Sequence, residues 1–196
     1  MIKILGKHVK DTFTTGGYRD ISVQSGLVYA AGRVRPNTVD VYDSSTWRQL
    51  RHIPTPCCSD EDYSWHTLQV FDDRILLCCR AKHNLQVLSH SGELLQTHGH
   101  SRIEATEDNI IGQTASGEPV YGPGVLYGPR LCLVDGEGSA LVADLRNHRI
   151  QVMRADGTWS VVKLDQPVTY PEGAIWCNAS LYVVGKYNIA RFSWKS

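Results

Sequence analysis

The chain has 196 residues, with 20 Lys and Arg against 20 Asp and Glu and a sequence pI near 7.1. That length can bury one sizeable core or two small ones. A neutral chain has no global field to gather nucleic acid or anionic membrane, so such a partner needs a local patch. Apolar runs fall well short of the ~20 residues of a spanning helix, and the opening MIKILGKHVKD (1–11) is too short and polar for a signal peptide.

In chain order, IKILGKHV (2–9) reads as a strand with no assigned partner. A unit then repeats: short apolar strand, polar turn, second apolar strand, polar or basic loop, third strand. Its first copy is DISV (20–23), LVYAAG (27–32) and TVDVYD (38–43), followed by a more polar strand, WRQLRHI (47–53). The second is LQVF (68–71), ILLCCR (75–80), NLQVLS (84–89) and GELLQTH (92–98). The third is LCLV (131–134), ALVADL (140–145), RIQVMR (149–154) and TWSVVKL (158–164). The last is GAIW (173–176), LYVVGK (181–186) and NIARFS (188–193), with no fourth strand before Ser196. The connecting QSG, DDR, DGEGS and CNAS are turn formers.

One strand is missing at the end and one is spare at the start. This predicts an all-β propeller: a single domain, 1–196, of about four four-stranded antiparallel blades, with the N-terminal strand closing the last blade so that no edge is left. The repeats fall near 14–58, 59–101, 128–166 and 167–196 plus 1–13. First strands lie 47, 63 and 43 residues apart, from Ile21 to Leu68, Leu131 and Ala174. The middle excess, Gly- and Pro-rich, is a long loop insertion at 102–127. The runner-up is a partial larger propeller completed by association.

Six cysteines, Cys57, Cys58, Cys78, Cys79, Cys132 and Cys177, include two adjacent pairs and no CxxC. Neighbours on a strand point to opposite faces, so Cys78 and Cys79 do not share a disulfide or a metal. Buried free thiols in a reducing, cytoplasmic setting are expected.

The third copy carries a recognisable motif. GSALVADLRNHRIQVMRADG (138–157) resembles the NHL repeat, matching it at Val142, Ala143, Asp144, Asn147, His148, Arg149, Ile150, Gln151, Val152 and Gly157. At 75–92 the match is looser, with Asn84 in the Arg position and Arg80 in the Asp position. TVDVYDSSTWRQLRHIP (38–54) resembles a kelch repeat. Both families are β-propellers, and NHL propellers commonly have six blades. Asp144 and Arg149 flank a hairpin, where a charge-assisted pair would fix the turn. The resemblance implies the same structural role, and His148 reads as a loop residue with one satisfied nitrogen. It also implies a protein-interaction module or an RNA binder.

In a propeller, the loops joining second and third strands share one face around the channel mouth. They hold Arg33 and Arg35; Arg80, Lys82 and His83; Arg146 and His148; Lys186 and Tyr187. A ring of basic loops is therefore expected there, with Asp72, Asp73, Asp135 and Glu137 on the opposite face. Loops entering the blades add Asp60, Glu61, Asp62, Glu104, Glu107, Asp108 and Glu118 to the basic face. They also bring Tyr18, Tyr63, Trp65, Tyr121, Tyr127 and Tyr170, which suit base stacking, a protein contact or packing between blades.

PEGAIW (171–176) is similar to the metal-binding strand of gluconolactonase-type propellers. That likeness would gather Asp20, His66 and Glu172 at the channel mouth. Arg130 shares the space and would repel a cation, and the family's base aspartate has no counterpart. No catalytic residue, metal or cofactor is expected, nor a membrane partner or a small molecule in the channel. The first reading is non-enzymatic binding of a protein through one propeller face. RNA binding on the basic loops is the alternative, and a metal-dependent lactonase-type hydrolase comes third.

Overall fold

A computed structural model describes residues 18–32, 38–56, 66–80, 82–113, 115–177 and 180–193. Blade 1 is an antiparallel sheet of β1 (Tyr18–Gln24), β2 (Leu27–Gly32), β3 (Thr38–Asp43) and β4 (Gln49–Pro54), paired in chain order. Blade 2 repeats it with β5 (His66–Phe71), β6 (Arg74–Cys79), β7 (Asn84–Ser89) and β8 (Leu94–His98). The insertion follows. It contains a parallel pair of β9 (His100–Ser101) with β12 (Val125–Leu126), enclosing a hairpin of β10 (Ile110–Gln113) and β11 (Pro119–Tyr121). It is thus a small folded extension and not a bare loop. Blade 3 comprises β13 (Pro129–Val134), β14 (Ala140–Asp144), β15 (Arg149–Met153) and β16 (Trp159–Val161). Blade 4 has β17 (Pro171–Cys177), β18 (Ser180–Gly185) and β19 (Ile189–Ser193) among the described residues. The expected closing strand, 2–9, lies outside them.

The sequence explains the sheets. A type I′ two-residue hairpin needs positive φ at both turn positions, and Ser25 and Gly26 supply 49° and 77° between β1 and β2. Asp43 holds the β3–β4 turn by accepting the backbone N–H groups of Ser45 (3.0 Å) and Thr46 (2.8 Å). Second strands of blades 2 and 3 lie between neighbouring blades on both faces, so ILLCC and ALVA are continuous apolar runs rather than alternating ones; LVYAA is apolar throughout too, its outer side covered by Tyr18 and Tyr42 of its own blade. Fourth strands are mostly exposed and read as polar.

The core is a series of layers between blades. Tyr29, Val39, Val41 and Ile53 meet Leu68, Ile75, Leu77 and Leu88 between blades 1 and 2. Leu76, Cys78, Leu85 and Val87 meet Leu131, Val142 and Met153 between blades 2 and 3. Leu141, Ala143 and Ile150 meet Leu181, Val183 and Phe192 between blades 3 and 4. Side chains also tie the inner strands: Asp20 Oδ2 accepts Leu68 N–H at 2.8 Å, and Thr67 Oγ1 accepts Leu131 N–H at 2.6 Å.

The thiol expectation is corrected at one position. Cys79 is disulfide-bonded, while Cys78, Cys132 and Cys177 are free. Strand geometry excludes only the Cys78–Cys79 pairing and leaves bonds to other strands open, so the cysteines do not speak for a reducing compartment. No helix among the described residues is long and apolar enough to cross a membrane.

Candidate functional site

The loops after the second strands converge on one face. A cavity of about 520 Å³ there is lined by Arg80, Arg130, Arg146, Lys186 and Glu172, with Tyr127, Tyr170 and Leu145. Three of its cations come from the loops or strand ends of blades 2, 3 and 4; Arg130 reaches it from β13. Arg130 Nη1 lies 3.6 Å from Glu172 Oε2. Burial, and then the neighbouring Arg130 and Arg146, lower the Arg80 pKa. On the opposite face Asp72, Asp73 and Glu137 border a separate cavity of about 250 Å³.

The other basic-loop residues have different employment. Lys82 Nζ donates to Pro56 O at 2.8 Å, away from the cavity. Tyr187 is exposed beside Lys186, whose ammonium is 5.1 Å from the ring centroid. Arg33 and Arg35 lie outside the described residues, as do Asp60, Glu61, Asp62, Tyr63 and Trp65. Glu118 borders a second cavity, of about 380 Å³, beside Arg102, Tyr121 and Arg146.

His83 and His148 perform one repeated task. His83 Nδ1 accepts Gly128 N–H at 2.9 Å, and His148 Nδ1 accepts Tyr170 N–H at 3.0 Å. Both sit at positive φ, 52° and 53°, which His tolerates better than most residues. Each meets a tyrosine of the next incoming loop edge-on: Tyr127 at 5.0 Å and Tyr170 at 4.3 Å between centroids. These imidazoles join blades and are acceptors, not cations of the ring. The sequence reading missed this pairing. The signal was the offset match of KHN (82–84) with NHR (147–149), each followed downstream by YGP (127–129) or YP (170–171).

This has a pH consequence. Burial, followed by nearby Arg146, lowers the His83 pKa. The unfolded chain then takes up its proton at higher pH than the fold does. Stability is lost as pH falls through the unfolded value of about 6.5 toward the depressed folded one. Burial lowers His98 likewise. His83→Asn tolerates positive φ and does not titrate, so its melting temperature should fall less steeply than the wild type's between about pH 7.5 and 5. Parallel slopes in thermal melts would assign the effect to His98 alone.

Asp144 and Arg149 meet at 2.9 Å within a larger network. Fully buried Asp144 accepts from Arg149 Nε (2.9 Å), Gln151 Nε2 (2.8 Å), Asn147 Nδ2 (2.9 Å) and Tyr127 N–H (2.7 Å). Arg149 also donates to the carbonyls of Tyr121, Gly122 and Val125. Gln151 Oε1 accepts Gly124 N–H at 2.9 Å. The D-x-x-N-H-R-I-Q spelling therefore does more than fix a hairpin: it clamps the end of the insertion, 121–127, onto blade 3.

Two residues of the metal reading already have partners. Asp20 accepts the Leu68 N–H across the blade interface and the N–H of its own neighbour, Ile21. Glu172 faces Arg130. The side chain of His66 lies outside the description. Among the described residues, no group of three His, Cys, Asp or Glu is placed to hold a metal ion. The aromatic rings are mostly committed too: Tyr18 hydrogen-bonds Asp40, and Arg102 lies 4.8 Å above Tyr121.

This arrangement of radially neighbouring four-stranded sheets is that of a β-propeller, and solved structures agree. A streptogramin B lyase matches with a TM-score of 0.57 and 17% identity over 91% of this chain and 55% of its own. A protein of unknown function from Bacteroides thetaiotaomicron VPI-5482 gives 0.66 and 11% over 90% and 47%. The computationally designed Ika4 protein gives 0.52 and 10% over 96% and 99%. The chain thus spans about half the length of the first two. No protein-family model and no curated protein matches it. At such identities the likeness carries the fold alone.

Proposed function

We propose that this propeller is a non-enzymatic binding module of the NHL kind, which takes an acidic segment of a protein partner at the mouth of its loop face. The observation that carries this is the cavity lining: Arg80, Arg130, Arg146 and Lys186, with one carboxylate, Glu172, among the described residues. Guanidinium groups grip carboxylates through paired, charge-assisted hydrogen bonds, which crowding of like charge makes more favourable. A protein segment is favoured over RNA because the two tyrosines that line the mouth are partly taken up by neighbours, which leaves exposed Tyr187 as the ring open to stacking. Tyr127 packs against His83 and Arg146, and Tyr170 against His148 and Lys186. A hydrolase lacks support, since Asp20 and Glu172 have other partners.

The test is fluorescence polarisation with a labelled Asp/Glu-rich peptide and a labelled single-stranded RNA, at about 50 and 200 mM salt. The proposal expects the peptide to bind more tightly and both to weaken with salt. RNA binding that survives while the peptide does not bind would replace the protein partner by nucleic acid. Failure of both at low salt would remove the mouth as a binding site.

A further inference from the structure

The two ends of the arc carry faces built like the interfaces inside it. On blade 1, Ile21 pairs with Ala30 as Leu68 pairs with Leu77 in blade 2 and Leu131 with Val142 in blade 3. Leu68 and Leu131 are 0% and 5% exposed, because the preceding blade covers them; Ile21 is 57% exposed. On blade 4, Val184 pairs with Ile189 as Ala143 pairs with Ile150 in blade 3. Ala143 and Ile150 are each 0% exposed beneath the following blade, whereas Val184 and Ile189 are 44% and 71% exposed. Beside them Ile175 is also exposed. Residues that the repeat makes apolar for burial therefore stand in water at both ends.

The ends also match in polarity. At two of the three seams inside the arc, the leading N–H of the incoming inner strand takes a side-chain acceptor from the blade before: Asp20 serves Leu68 and Thr67 serves Leu131, while Arg130 holds that position on blade 3 and offers none. On blade 1 the equivalent N–H, Ile21, is already satisfied by its own neighbour, Asp20 Oδ1, at 3.0 Å. On blade 4 the position equivalent to Asp20 and Thr67 is Gly173, with open space beside it and no acceptor to offer. A blade that needs no acceptor fits a blade that has none.

We infer that the arc closes with a second copy of this chain, blade 4 of each packing on blade 1 of the other. A second copy supplies both missing faces at once through two identical seams, so the assembly closes on a two-fold axis and does not extend. Four sheets from each chain make an eight-bladed ring, within the known range of propellers. Two chains also reach about the length of the streptogramin B lyase and Bacteroides structures, of which one chain spans 55% and 47%. The cationic mouth would then be present twice around one channel.

Sedimentation of the 196-residue chain from about 1 to 100 μM tests this. A mass twice the 21.9 kDa of one chain is expected. Ile21→Glu and Ile189→Glu place a charge where the single chain is already exposed, so each should fold. Each should weaken the dimer at least thirtyfold or so, because the seam would bury that charge unpaired. Mixing the two variants restores one wild-type seam, and the mixture should associate more tightly than either alone. A monomer at every concentration overturns the inference, whether residues 1–17, a further segment or nothing covers the faces. So does a dimer indifferent to Ile21→Glu, which would mean that two blade 4 faces meet each other. Peptide binding at the mouth is read separately and stands or falls without the dimer.

Discussion

Asp144→Ala is expected to lower the melting temperature by roughly 10 °C. The carboxylate is fully buried and accepts from four groups, including the guanidinium of Arg149 and the backbone N–H of Tyr127. Removing one partner of a buried pair leaves the other charge without compensation and costs about 3–5 kcal/mol. For a chain of this size each kcal/mol moves the melting point by about 2–4 °C. The loss reaches beyond the hairpin, because Arg149 and Gln151 also hold the backbone of 122–125. Asp144→Asn keeps one acceptor oxygen but turns an amide donor toward Arg149 or Gln151, so it should recover only part of the loss. Calorimetry of the two variants checks this. A melting point within a degree or two of wild type for Asp144→Ala would mean that water replaces the carboxylate and the clamp is not a structural necessity.

Arg146→Glu should weaken anionic peptide binding the most of any single change at the mouth. Arg146 borders both cavities on this face, with its guanidinium 2.9 Å from the Tyr127 hydroxyl and 4.9 Å from that ring's centroid. Losing a charge-assisted contact costs about 1.5–3 kcal/mol, and the reversed charge adds repulsion. That is at least tenfold, and on the order of a hundredfold, in Kd. Arg80→Glu should act similarly but also perturb packing, because that side chain is partly buried. Arg146 is exposed, so the melting point of Arg146→Glu should move little. Unchanged polarisation with the acidic peptide would take the mouth out of the interface.

The blades themselves were legible because their signals are local. Apolar second and third strands bounded by turn formers place β2, β3 and β7 at the predicted residues: Leu27–Gly32, Thr38–Asp43 and Asn84–Ser89. Three of the cations now around the cavity, Arg80, Arg146 and Lys186, were assigned to the mouth from their place in the repeat, and Arg130 was read as sharing that space. The insertion was harder. Its strands are two to four residues long, and β9 pairs with β12 across more than twenty residues, so no periodicity announces them.

What the sequence determined alone is the strand order, the turn chemistry and which loops carry positive charge, all properties of neighbouring residues. Tertiary structure decided the rest. His83 became an acceptor only because Gly128, 45 residues away, presents its N–H there. Asp144 became the centre of a clamp only because 121–127 folds back over it. Ile21 and Ile189 read like the buried Leu68 and Ile150, since the repeat writes the same apolar letter at every blade. Whether that letter is covered depends on what stands beyond the first blade and the last, and strand composition carries no information about that.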